Sequence, residues 1–148
     1  MEKPRVLLAD DNEATCTLIV ALLRKEFDVE VVADGAEAIE RIKSRLYAAV
    51  LLDLRMPIVD GYGVLDFMAA ERPEILPRVL VVTASLSAQE LDRVSDYRIC
   101  NVVSKPFEVD VLQALVRQCA GIASDPFPRG PILTGGMLML LADLLRRV

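Results

Sequence analysis

Residues 48–53 read Ala48-Ala49-Val50-Leu51-Leu52-Asp53, five apolar side chains in a row closed by a carboxylate. A run so short and so uniformly apolar has no solvent face. It belongs to a strand covered on both sides, in the middle of a parallel sheet. The flanking sequence repeats the signature. Arg5-Val6-Leu7-Leu8-Ala9 runs into Asp10-Asp11, Val79-Leu80-Val81-Val82 runs into Thr83, and Ile99 to Val103 runs into Ser104-Lys105-Pro106. Asp28 to Ala33 is a further strand, whose polar residues 28 and 30 suggest a sheet edge.

Helical patterns separate these runs. Asn12 and Glu13 start the first helix, with Leu18 and Leu22, and Ile19 and Leu23, as its apolar stripe. Asp34-Gly35 opens a second carrying Ile39, Ile42 and Leu46. A loop from Arg55 to Gly61 holds Pro57 and Asp60-Gly61 as turn signals. Val64, Leu65 and Met68 mark a third helix that stops near Pro73. Ser85 to Asp96 is expected as a weakly amphipathic fourth, anchored by Leu91 and Val94. Leu112, Leu115, Val116 and Cys119 fall at i, i+3, i+4, i+7 and give a fifth. Strand–helix alternation over about the first 122 residues predicts an α/β fold, doubly wound, with helices on both faces of the sheet.

The reading divides the chain into a domain over 1–123, a linker over 124–136 and a C-terminal helix over 137–148. The linker holds Pro126, Pro128, Gly130, Pro131, Gly135 and Gly136. Met137, Leu138, Leu141, Leu144, Leu145 and Val148 give the helix a wide apolar face. A helix of that length is marginal alone in water. It is expected to dock on its own domain, on a second copy as a homodimer, or on a partner.

Composition closes off whole classes. The 148 residues are 53% hydrophobic and 26% charged, with a formal net charge of −5, which excludes a disordered chain and argues against nucleic acid as a partner. No apolar run approaches the ~20 residues of a membrane span, and the start Met1-Glu2-Lys3-Pro4-Arg5 is not a signal peptide. Cys16, Cys100 and Cys119 show no CxxC spacing, so they are expected as small buried thiols of a cytoplasmic protein. The chain has no histidine, which removes Ser-His-Asp and Cys-His catalysis and histidine-ligated metals.

What remains is carboxylate, hydroxyl and amine chemistry, and it falls at the carboxyl ends of strands. Asp10 and Asp11 end the first, Asp53 the third, Thr83 the fourth and Lys105 the fifth. In an open α/β sheet those ends share one crevice. Two carboxylates ~4 Å apart repel by about 4 kcal/mol at an effective dielectric of 20, several times what a helix cap contributes. Three carboxylates in one place must hold a proton or a cation. Oxygen ligands without His or Cys select a hard ion, Mg²⁺ or Mn²⁺. A hard metal, an amine and a hydroxyl around a carboxylate suit a phosphoryl group.

Four separated motifs carry a family resemblance: Leu8-Ala9-Asp10-Asp11-Asn12-Glu13; Leu52-Asp53-Leu54-Arg55-Met56-Pro57 with Asp60-Gly61; Val82-Thr83-Ala84; and Ser104-Lys105-Pro106-Phe107. In this order they resemble the receiver domain of bacterial two-component response regulators, including the single-domain chemotaxis regulators, over roughly residues 4–122. The resemblance implies a flavodoxin-like five-stranded parallel sheet of order 2-1-3-4-5. It implies Asp53 as phosphoacceptor from a phosphohistidine of a sensor histidine kinase or phosphotransfer protein. Asp10, Asp11, Asp53 and the backbone carbonyl of Arg55 would hold Mg²⁺. Thr83 and Lys105 would bind phosphoryl oxygens, and the Lys105-Pro106 peptide would be cis. The acyl phosphate would hydrolyse with time, without turnover of external substrates. Its presence would switch a surface of the fourth helix, fifth strand and fifth helix toward a downstream protein target.

The sequence departs from that family at two places. Family members usually carry Tyr or Phe three residues before the lysine, where this chain has Val102. Valine cannot swing as that aromatic does, so either backbone and helix shifts carry the switch or the coupling is weakened. Arg55, two residues after Asp53, is expected either to reach the phosphoryl oxygens or block water, and so alter hydrolysis, or to point to solvent. It also argues against a haloacid-dehalogenase-type phosphatase, which has a second Asp there. The remaining alternative is a receiver-like interaction module that is never phosphorylated.

Overall fold

The structure, a computed structural model, describes residues 2–84 and 86–122. Five strands, β1 (Arg5–Ala9), β2 (Asp28–Val32), β3 (Ala49–Leu52), β4 (Val79–Thr83) and β5 (Asn101–Ser104), form one parallel sheet in the order β2-β1-β3-β4-β5. The helices are α1 (Glu13–Leu23), α2 (Gly35–Ser44), α3 (Gly61–Glu71), α4 (Ala88–Ser95) and α5 (Val109–Cys119). This is the doubly wound, flavodoxin-like arrangement expected, with β2 at an edge and β3 in the middle.

Period-two alternation of the strands sorts the core into two layers. Val6 and Leu8 of β1, Leu51 of β3 and Leu80 and Val82 of β4 join Ile19 and Leu23 of α1 and Leu112, Leu115 and Val116 of α5. Leu7, Val50, Leu52, Val79 and Val81 face the other way, onto Ile42 of α2, Val64, Leu65 and Met68 of α3 and Val94 of α4. Every residue of β3 is buried, as its composition requires. Four helices begin on side-chain caps of about 1 kcal/mol each. Asn12 accepts from the Thr15 amide at 2.9 Å, Asp34 from Glu37 at 2.8 Å, Asp60 from Gly63 at 2.9 Å and Ser87 from Glu90 at 3.1 Å.

Several expectations are corrected. In α1 only half of the stripe is right: Ile19 and Leu23 are buried, whereas Leu18 is 48% exposed. The helix is apolar nearly all round, so periodicity alone did not choose its inner face. Leu46 lies beyond the end of α2, 72% exposed, and Tyr47 takes its place in the core. Helix α4 starts at Ala88, not 85, because Ser87 and Glu90 form a capping box. Strand β5 begins at Asn101, two residues later than expected, and runs one residue past Val103, and a 3₁₀ turn over Pro73–Arg78 follows α3. The linker and the C-terminal helix over 124–148 lie outside the described residues. No described helix is long and apolar enough to cross a membrane.

The cysteines form a further correction. Cys100 and Cys119 are joined as a disulfide, with a Cα–Cα distance of 5.7 Å, and only Cys16 is free. Helix α5 runs back along the sheet, so its last turn returns to the end of the sheet where β5 begins. Cys16 is buried, its thiol donating to the Asp10 carbonyl at 3.3 Å. Burial first, and the negative charge of Asp10 second, push the thiol up to about 11. At pH 8 only about one in a thousand would be thiolate, far below an ordinary cysteine. Iodoacetamide at pH 8 should therefore label no cysteine of the native protein, one after denaturation without reductant, and three after denaturation with reductant. Native labelling of Cys16 would contradict this burial.

Candidate functional site

The sheet ladder fixes the backbone of each polar residue at the strands' carboxyl ends. It extends one residue beyond β1, β3 and β5. The Asp10 amide donates to the Val32 carbonyl at 3.1 Å, the Asp53 amide to Ala9 at 2.9 Å and the Lys105 amide to Thr83 at 2.8 Å. Adjacent strands thus present Asp10, Asp53, Thr83 and Lys105 to one crevice. Asp11, next along the chain, stands exposed at its mouth.

One carboxylate oxygen from each of Asp10, Asp11 and Asp53 lies within 4.8 Å of the others. Asp10 and Asp53 are buried and Asp11 is not. Lys105 reaches across both buried carboxylates, its Nζ 2.7 Å from Asp10 Oδ2 and 3.2 Å from Asp53 Oδ2. The other oxygen of Asp53 accepts from Thr83 Oγ1 and from the Arg55 amide, each at 3.2 Å. Asp10 Oδ1 accepts from the Asn12 amide at 2.9 Å. The Lys105-Pro106 peptide is cis, as the resemblance implied.

The electrostatics follow from this packing. Burial raises the Asp10 carboxyl above its ordinary value, and the charge of Asp53 adds to it; hydrogen bonds from Lys105 and Asn12 oppose but do not cancel the rise. Burial pulls the Lys105 ammonium downward, yet its hydrogen bond to Asp10 and the charges of Asp53 and Asp10 outweigh that and raise it. One ammonium faces three carboxylates, which leaves a net negative pocket. That donor set, all oxygen and short of positive charge, fits a hard divalent ion.

The loop after β3 is tied to the site. The Gly61 amide donates to the Leu54 carbonyl at 2.9 Å, and a Cβ at Gly61 would collide with the Asp53 backbone carbonyl. Glycine is required there by close approach. The Arg55 side chain is 66% exposed but does not simply point to solvent. Its Nη2 pairs with Glu90 Oε1 of α4 at 3.1 Å. The sequence reading missed Glu90 as a neighbour of the site, although Ser87-x-x-Glu90 is legible as a capping box. Val102 is fully buried in the layer beneath α2, α3 and α4.

Residues 6–117 match the response regulator receiver domain family. The chain belongs to that family. Among curated relatives, this receiver domain is 31% identical over 137 residues to the transcriptional regulatory protein TcrA of Mycobacterium tuberculosis, covering 92% of this chain and 53% of that protein. It is 32% identical over 114 residues to the transcriptional regulatory protein ZraR of Escherichia coli, covering 76% of this chain and 25% of that protein. It is 30% identical over 130 residues to the transcription factor SKN7 of Chaetomium thermophilum, covering 84% and 17%. The chain thus spans at most about half the length of these curated relatives. Among solved structures, the signal receiver domain of a LuxO repressor protein from Vibrio parahaemolyticus matches with a TM-score of 0.74 at 26% identity, covering 80% of this chain and 91% of that one. The receiver domain of a sensor histidine kinase from Pseudomonas aeruginosa, which has a magnesium ion coordinated in its active site cleft, matches at 0.73 and 28%, covering 80% and 98%.

Proposed function

We propose that this receiver domain accepts a phosphoryl group on Asp53 from a phosphohistidine of a sensor histidine kinase or phosphotransfer protein. The acceptance depends on Mg²⁺ and switches a surface read by a downstream protein. The single observation that carries this reading is the arrangement around Asp53. A buried carboxylate has Lys105 on one oxygen and Thr83 on the other, beside two more carboxylates with an oxygen of each inside 4.8 Å. Stability alone gives no reason to gather three carboxylates there. Magnesium in the cleft of the Pseudomonas structure supports the same placement here. Asp10, Asp11, Asp53 and the Arg55 carbonyl would hold the ion, which when bound supplies positive charge against the phosphoryl oxygens.

The residues then divide the chemistry. An Asp53 carboxylate oxygen attacks phosphorus, the P–N bond of the phosphohistidine breaks, and the imidazole leaves with that electron pair. Attack brings anion to anion, and Lys105, already 3.2 Å from Asp53, offsets the repulsion as charge builds. Thr83 donates its hydroxyl to a phosphoryl oxygen, which draws its loop inward and biases a two-state equilibrium. The product, a mixed anhydride, is hydrolysed by water, so the domain marks a signal in the cytoplasm and does not turn over external esters.

Incubation with acetyl phosphate and Mg²⁺, followed by intact mass, tests this. One phosphoryl group should add to the protein and none to Asp53→Asn. No adduct on the unsubstituted protein would instead fit a receiver-shaped interaction module. Continuous release of phosphate from esters would fit a phosphatase.

A further inference from the structure

Helix α4 is thinly anchored. Of its residues only Val94 is fully buried, with Leu91 half-buried against the same layer. Polar tethers do much of the holding. Tyr97 bonds Asp66 of α3 through its hydroxyl. The Arg93 guanidinium sits 3.7 Å from the centroid of the Tyr62 ring, also on α3. Glu90, in the first turn, pairs with Arg55 at 3.1 Å. Two tethers run to α3; the Arg55 tether runs to the loop that carries the Asp53 site. Val102 of β5 is fully buried in the same layer as Val94.

Resting on the Asp53 reading, we infer that Arg55 exchanges partners on phosphorylation, leaving Glu90 for the phosphoryl group and so unpinning the first turn of α4. Arg55 lies two residues from Asp53, and its own amide already donates to Asp53 Oδ1. Its side chain is 66% exposed, with Glu90 as its ion-pair partner. Phosphorylation puts nearly two negative charges and three acceptor oxygens beside it, a better match for a guanidinium fork than one carboxylate. Glu90 keeps its place in the capping box with Ser87, so α4 loses its tie to the site without losing its helical start. Arg55 thereby binds the transferred group and, through Glu90, reports it to α4.

The test is amide hydrogen exchange over residues 88–95 of the full chain, with Mg²⁺, with and without beryllofluoride as phosphoryl probe. In the unsubstituted protein beryllofluoride should speed exchange of α4 by about two- to fivefold, the weight of one partly exposed ion pair. Glu90→Gln retains a side chain able to complete the capping box, and Arg55→Gln leaves Glu90 intact. Each should show the faster exchange before any probe is added and no further change after it. Wild-type protection of α4 in either free variant, or an undiminished response to beryllofluoride, overturns the exchange of partners. The fluorine resonance of bound beryllofluoride separates the two layers of the argument. Its absence from the unsubstituted protein overturns the Asp53 reading and the exchange with it, whereas failure of the pin shows in the free variants whatever the probe does.

Discussion

Lys105→Ala will destabilise the metal-free protein by about 3–5 kcal/mol and slow phosphoryl acceptance from acetyl phosphate by about 100- to 1000-fold. Both effects come from one ammonium. Its Nζ touches Asp10 and Asp53, whose side chains are nearly inaccessible, and removal leaves two buried carboxylates without a cation. Breaking a buried pair from one side costs far more than an exposed pair contributes, because the abandoned charge remains in poor solvent. Urea unfolding in EDTA measures the first effect, and intact mass against time measures the second. Added Mg²⁺ should recover part of the lost stability but little of the rate, since an ion held by Asp10, Asp11 and Asp53 would not replace the hydrogen bond that Lys105 would donate to the phosphoryl group. A stability change below about 1 kcal/mol would mean that Lys105 does not neutralise this pocket.

Asp11→Asn should act with the opposite sign. Removing one of three crowded negative charges stabilises the metal-free protein, by about 1 kcal/mol since Asp11 is exposed and its repulsion is screened. That corresponds to a rise in melting temperature of roughly 3 °C for a chain of this size. The unsubstituted protein gains stability from Mg²⁺ by mass action, about 2.7 kcal/mol at a hundred times the dissociation constant. The variant loses a ligand and most of that gain. Melting curves with and without Mg²⁺ on both proteins check the pair of effects. An undiminished Mg²⁺ response in Asp11→Asn would contradict the proposed ligation. The Lys105 and Asp11 variants together distinguish a charge-tuned pocket from a merely packed one, because packing loss destabilises in both cases.

The site was legible because strand ends are. Strand β3 and the run Val6–Ala9 of β1 are unbroken apolar stretches, so the first polar residue after each, Asp53 or Asp10, is also the residue that reaches the crevice; Lys105 follows the strand end Ser104. Parallel winding then brings those ends together without further information. The cap at Asn12 was legible too, whereas Asp34 and Asp60, expected only as turn signals, also cap the helices that follow them.

What sequence did not carry was choice among equals and contact across the fold. In α1, Leu18 and Ile19 are equally apolar neighbours, and only packing against α5 and the sheet buries the second. Leu46 fits the period of α2, but the helix ends at Ser44 and the chain turns extended at Arg45. Cys100 and Cys119 lie 19 residues apart with no motif, and the return of α5 to the start of β5 is what joins them. Arg55 and Glu90 are 35 positions apart; their pairing depends on where α4 begins, and that start was set three residues too early.

The central claim is that the three gathered carboxylates need a divalent ion, and that with it Asp53, and not its neighbours, takes the phosphoryl group. Borohydride reduces an acyl phosphate of aspartate to homoserine, so sequencing of peptides after acetyl phosphate treatment locates the modified residue. The account predicts homoserine at position 53 alone, in the presence of Mg²⁺, and none in EDTA. Homoserine at position 10 or 11, or equal yields with and without the ion, would contradict it.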